Sequence, residues 1–177
     1  MVKRMFGNPP WYGDEQPDES WYDVMQVCLN GHKITAMLKS SPEYGKQHCP
    51  NCGAVTISNC QKCQAEIQGY HHLPNVIGGS TDAPAFCHKC GEPFPWTTAR
   101  LEAAQELAEE LEGVNKEETE LLKSSLDDLV RDTPRTTLAA TRFKRIVAKA
   151  GKGAAEAFKD ILVGVISETA KKLIWPG

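Results

Sequence analysis

The stretch His48–Cys63, HCPNCGAVTISNCQKC, contains two Cys-x-x-Cys pairs, Cys49/Cys52 and Cys60/Cys63. A third pair, Cys87/Cys90, lies in FCHKCGEPFPW, and Cys28 precedes His32 by four residues in CLNGH. Two intervening residues let a tight turn aim both thiolates at one ion about 2.3 Å away, the geometry of a tetrahedral thiophilic metal. Gly53 and Gly91 follow two of the pairs, where such a turn needs a positive φ. The reading is zinc, held by eight ligands: Cys28, His32, Cys49, Cys52, Cys60, Cys63, Cys87 and Cys90.

Taken consecutively, the pairs give one quartet of Cys28, His32, Cys49 and Cys52 and another of Cys60, Cys63, Cys87 and Cys90. This arrangement is preferred because each turn then closes its own ribbon, while interleaving first with third and second with fourth stays open. A disulfide framework fits poorly, since seven cysteines is an odd count and no secretory leader is read at the start. Two complete quartets leave no open position for water or substrate, so the ions are expected to be structural rather than catalytic.

The segments VCLNGHKIT, HCPNCGAVTISNCQKCQAEIQGYHHLPNV and PAFCHKCGEPFPWT resemble a family of uncharacterised bacterial proteins with a paired zinc-ribbon domain. The resemblance spans Val24 to Arg100 and places all four ligand pairs on residues present here. It departs at Gln61, where proline often follows the cysteine, and at Asn75, where glycine is usual. It implies a fold and a metal and leaves the function open.

At 177 residues the chain fits one or two small domains. The expected class is α+β, with a flexible segment over 1–20, a small β-rich paired zinc ribbon over 21–96 and a helical region over 97–177. Residues 97–130 carry three basic against ten acidic side chains, and residues 131–152 seven basic against Asp132 alone. The ribbon segment is balanced, so two divalent ions and seven thiolates would leave it near −3, an unpromising sign for a phosphate backbone. No apolar run suggests a signal peptide or membrane span, and reduced thiol ligands suit a cytoplasm.

Along the chain, Trp11-Tyr12 is echoed by Trp21-Tyr22, the second pair being expected to pack on the first ribbon. VMQVCLNGHKITAML reads as two short strands around a ligand turn, and Ala54–Ser58 as another β-type run. Gln64–Pro84 is a long excursion carrying His71 and His72 and then the flexible Gly78-Gly79-Ser80. His48, His71, His72 and His88 are expected outside the ligand sets.

Four helices are predicted. The first runs from Ala99 to Leu111, capped by Thr97 with Trp96 and Leu101 as a staple and stopped by Gly113. The second follows an Asn115/Glu118 capping box to about Arg131, with Leu121, Leu122, Leu126 and Leu129 inward. The third spans Thr137–Ala150, burying Leu138, Phe143, Ile146, Val147 and Ala150 and exposing Arg142, Arg145 and Lys149. The fourth, Ala154–Ile174, is too charged to cross a bilayer and is expected to bury Phe158, Ile161, Leu162, Val165, Ile166, Ala170 and Leu173 in a bundle or homo-oligomer.

The function expected first is a non-enzymatic, zinc-built interaction or adaptor protein, docking a protein partner or itself through the helices. No phosphate loop, GxSxG or HExxH occurs. The alternative is nucleic-acid binding through Arg142, Lys144, Arg145, Lys149 and Lys152, unless neighbouring acidic helices neutralise that stripe. An enzyme would need an open metal position or a site around His71, His72, Asp82 and Glu92.

Overall fold

The computed structural model describes residues 20–74, 79 and 81–176. Trp11-Tyr12, Asn75, Gly78 and Ser80 lie outside the described residues. Among the described residues five short strands, with one 3-10 turn at Pro42–Tyr44 between them, are followed by five α-helices, so the chain is α+β. Strands β1 (Trp21–Val24) and β5 (Gln68–His72) form one antiparallel ribbon. Strand β2 (Gln26–Cys28) is central to a second small sheet, between β3 (Lys33–Thr35) and β4 (Thr56–Ile57). The two strands read around the CLNGH turn are β2 and β3, and β4 falls within the β-type run at 54–58.

Trp21 and Tyr22 pack on β5, each facing a histidine. The Trp21 ring stacks on His72 and the Tyr22 ring on His71, both at 4.1 Å between centroids. Asp23 shares a face with Trp21 and is buried. Its carboxylate accepts hydrogen bonds from the Lys39 amide at 2.8 Å, the Ser40 hydroxyl at 2.6 Å and His72 Nε2 at 3.2 Å. Burial would raise its pKa, but the Ser40, Lys39, Val24 and His72 bonds outweigh that and hold it below the usual carboxylate range. Gly69 lets the strands close at this point, since a Cβ there would sit 2.2 Å from the Ala36 carbonyl oxygen.

Helix α1 runs from Pro95 to Glu109, beginning four residues before the expected start. Thr97 is not its cap. Pro95 occupies the first turn, where its missing N–H costs nothing and its fixed φ suits the helix. Thr97 is inside the helix and fully buried, donating its hydroxyl to the Ala85 carbonyl at 2.7 Å. Trp96 is likewise buried rather than stapled outside, with its indole N–H on the Pro84 carbonyl at 3.0 Å.

Helix α2 (Lys116–Val130) has the expected capping box, the Asn115 side chain accepting from the Glu118 amide at 2.9 Å. Leu122, Leu126 and Leu129 are fully buried and Leu121 half-buried. Helix α3 (Thr136–Ala150) buries Phe143, Ile146 and Val147. Leu138 is exposed, and Ala139 and Ala140 take the inward positions instead, because small residues let α3 lie close to its neighbours. Thr136 locks the turn before α3, donating to the Arg131 carbonyl at 2.6 Å and accepting from the Thr133 amide at 2.9 Å.

The expected fourth helix is two. Helix α4 covers Lys152–Leu162 and helix α5 covers Glu168–Ile174. Ser167 starts α5 as its N-cap, accepting from the Ala170 amide, while its own amide donates to the Leu129 carbonyl at 2.9 Å. That cross-link to α2 compensates for the broken helical bonds. The break lets Val165 and Ile166 both point inward, and it leaves Leu173 exposed. Phe143 lies edge-to-face against Phe158 and Trp175, so one α3 ring knits α4 to the chain end.

Ribbon and helices share one hydrophobic core, running from Met25, Val27 and Ile67 through Phe94 and Trp96 to Leu126 and Phe143. Phe94 stacks on Trp96 at 4.7 Å, and the Arg131 guanidinium sits 4.6 Å over the Phe86 ring. No helix of the described residues is long and apolar enough to cross a membrane.

Candidate metal centres

Each Cys-x-x-Cys pair sits on the same backbone device. In the second, third and fourth ligand turns, the amide four residues after the first cysteine donates to that cysteine's carbonyl: Gly53 to Cys49, Gln64 to Cys60 and Gly91 to Cys87, at 2.8–2.9 Å. The first cysteine's amide then returns to Ala54, Ala65 or Glu92, each at 2.8 Å. This double closure forces a left-handed residue after the second cysteine. Gly53 has φ 72 and Gly91 φ 71, and Gln64 adopts φ 61 at the equivalent place. The CLNGH turn closes one residue earlier, with Gly31 at φ 86 donating to the Cys28 carbonyl.

The eight side chains come together as two groups, in the consecutive arrangement. Cys28, His32, Cys49 and Cys52 form the first, and Cys60, Cys63, Cys87 and Cys90 the second, each with its ligand atoms within 4.8 Å of one another. In the first, Cys28 and Cys52 sulfurs lie 3.8 Å apart, and His32 Nδ1 is 3.5 Å from Cys28 and 3.6 Å from Cys49. In the second, Cys60–Cys90 and Cys63–Cys87 are separated by 3.7 and 3.6 Å. A tetrahedron with metal–sulfur bonds of about 2.3 Å and metal–nitrogen bonds of about 2.0–2.1 Å has S–S edges near 3.8 Å and S–N edges near 3.5 Å. The groups therefore have the size of a metal-centred tetrahedron. All seven cysteines are free, with these sulfurs well beyond the disulfide length of about 2.05 Å.

Amide donors surround the sulfurs. The His32 amide and the Asn30 side chain each lie 3.3 Å from a sulfur, Cys28 and Cys52 respectively. The Ala54 amide and Asn30 pull the Cys52 thiol down to about 6, whereas burial pushes Cys28 up. The Glu92 amide lowers Cys90, yet burial and the Cys63, Cys87 and Cys60 thiols together push it up to about 12. Four thiolates at this spacing repel one another, and a cation at the centre is what allows all of them to ionise. The donor set thus fits a thiophilic divalent ion, and imidazole beside thiolate suits zinc well.

His48 and His88 are exposed outside both groups, and His71 and His72 belong to the β1–β5 ribbon. The buried Asp23, Ser40 and His72 knot escaped the sequence reading. Its signal was present in WYDVMQV, where alternation places Asp23 inward between Trp21 and Met25. Lys149 of the basic stripe pairs with Glu118, and Lys144 donates to the Leu173 carbonyl at 3.1 Å. Arg142 and Arg145 have no ion pair among the described residues.

The fold and the two groups define a class: an α+β protein with two candidate Cys/His metal centres at the base of a helical bundle. The chain belongs to a family described as an uncharacterised protein conserved in bacteria, DUF2321, which it matches over residues 21–174. Neither a curated protein nor a solved structure matches it.

Proposed function

We propose that this chain is a non-enzymatic, cytoplasmic interaction protein whose two structural zinc ions build a rigid ribbon that presents the helical region to a protein partner. The observation that carries this reading is the completeness of both tetrads, each with four protein ligand atoms and so no place for a reacting molecule. Every buried side-chain nitrogen and oxygen of the described residues has a hydrogen-bond partner, which suits a scaffold rather than a poised catalytic group. Zinc would be held by Cys28, His32, Cys49 and Cys52 in one centre and by Cys60, Cys63, Cys87 and Cys90 in the other. Its contribution is to the fold, since a structural zinc adds apparent binding free energy of roughly 10–16 kcal/mol.

Native mass spectrometry of protein kept reduced counts metal ions and chains per assembly, and affinity capture on the loaded protein then seeks the partner. Two zinc ions per chain and one stoichiometric protein partner, or a defined homo-oligomer, support the reading. A loaded monomer that captures nothing counts against it. Nucleic-acid binding is the second reading, favoured by Arg142 and Arg145, neither of which makes a close ion pair among the described residues, although Arg145 lies near enough to Glu118 to help lower its pKa. It requires affinity that falls steeply with salt and weakens in Arg142→Glu and Arg145→Glu. The internal bonds of Lys144 and Lys149 take two cations out of that stripe.

A further inference from the structure

A cavity of about 480 Å³ lies where the first centre's turn meets the helices, walled by β3, Trp96 and Arg100 of α1 and the α4–α5 connection. Its volume falls in the range of about 300–1,000 Å³ typical of small-molecule sites. The apolar side is formed by Ala83, Ala85, Val165 and Ile166 around Trp96.

The charges around it do not cancel. Lys33, Arg100 and Lys171 line it together with Asp82 and Glu168. Lys171 is paired with Glu168 at 3.3 Å. Neither Lys33 nor Arg100 has a carboxylate partner among the described residues. Among the lining side chains Asp82 alone opposes them, which leaves these side chains one positive charge in excess.

Two of the donors are held in place. The Arg100 Nη1 donates to the Ile161 carbonyl at 2.8 Å, and the guanidinium lies against Gly164, where even a Cβ would come within 3.1 Å of it. One of its five N–H groups is thereby used and the planar fork is immobilised with donors to spare. Lys33 is anchored by the Thr81 carbonyl at 2.6 Å, leaving two ammonium hydrogens. His32 also lines the cavity. Its Nδ1 is turned to the sulfurs, so Nε2 points away from them, and Nε2 has no hydrogen-bond partner among the described residues.

We propose that this cavity is a binding site for a small oxyanion, a carboxylate or phosphate group, gripped by Arg100 and Lys33, with any apolar body of the ligand against Val165 and Ile166. Fixed cations beside a low-dielectric wall bind an anion at little reorganisation cost. The site is separate from the proposed protein docking, and its occupancy is readable without a partner.

The test uses the full metal-loaded chain at constant ionic strength, following the Trp96 indole resonance by NMR while inorganic phosphate, benzoate or benzamide is added. Benzoate or phosphate is expected to shift that resonance saturably, with neutral benzamide inert. Phosphate together with benzoate means that the bare oxyanion suffices, phosphate alone a free phosphate site, and benzoate alone that the apolar wall is required. Lys33→Gln and Arg100→Gln, each checked for unchanged metal content, should weaken binding about tenfold, the loss expected for one charge-assisted hydrogen bond. No saturable shift with either anion, equal binding of benzamide, or affinity unchanged in both variants overturns the proposal.

Discussion

Gly31 of the first ligand turn rests directly on Trp96 of helix α1. A Cβ at Gly31 would lie 3.0 Å from the Trp96 Cβ, and the glycine's φ is 86. The first centre and the helical region are therefore mechanically joined through one glycine and one indole. Gly31→Ala combines left-handed strain with an overpacked contact, and should cost about 2–4 kcal/mol of stability. Denaturant unfolding at saturating metal measures it. A loss below about 0.5 kcal/mol, the scatter of ordinary surface substitutions, would mean that the turn does not bear on the helix.

Metal removal should act unequally along the chain. Chelation is expected to unfold the ribbon, because a structural zinc contributes about 10–16 kcal/mol against a typical domain stability of about 5–15 kcal/mol. The capping box of α2 and the Phe143 cluster do not touch a ligand, so far-ultraviolet dichroism should retain much of the helix signal while Trp96 becomes exposed. Cys49→Ser and Cys60→Ser, measured separately, would report which centre Trp96 senses, and the first is expected to matter more.

Gln64 holds the left-handed place that Gly53 and Gly91 hold in the sister turns. Gln64→Gly should stabilise the loaded protein by up to about 1 kcal/mol, since a side chain in that region costs about 1–2 kcal/mol and the more flexible unfolded glycine returns part of the gain. Gly91→Gln should destabilise it by a similar amount. Melting curves of the two variants against the parent decide the matter, and equal shifts of the same sign would refute it.

Asp23 carries a depressed pKa. Because its unfolded value is near 3.8, its contribution to stability is fully present above that pH and is lost as the pH falls through the lower folded value. Asp23→Asn should therefore cost about 2 kcal/mol at neutral pH, the scale of a lost charge-assisted bond set. The gap between parent and variant should narrow only below about pH 4. Thiolate protonation releases metal from both forms alike, so the difference between them is the diagnostic.

Gly69 of β5 lies against the backbone of Val24, Met25 and Ala36. Gly69→Ala places a methyl group 2.2 Å from the Ala36 oxygen and 2.9 Å from the Met25 nitrogen. Backbone cannot yield as a side chain can, so the expected cost is about 3 kcal/mol or more, read as a lowered melting temperature.

The chain alone determined the features whose cause is local. Cys-x-x-Cys spacing prescribes a ligand turn whatever surrounds it, and the Asn115/Glu118 box starts a helix from within four residues. The ligand turns, the class and the stripe of α2 followed from such short-range rules, whereas the grouping of the four pairs stayed open between two arrangements until the fold brought Cys28 to Cys52 and Cys60 to Cys90. Tertiary packing decided the rest. Thr97 looks like a cap until Phe94 and Trp96 are pulled into the core and the helix starts at Pro95 instead. Leu138 matches the helical period, yet Ala139 and Ala140 face inward because α3 is approached closely. The stretch from Ala154 to Ile174 is periodic enough for one helix, but Ser167 finds the Leu129 carbonyl and Arg100 finds Gly164 and the Ile161 carbonyl. Those bonds join residues far apart in sequence, and no periodicity within a single segment encodes them.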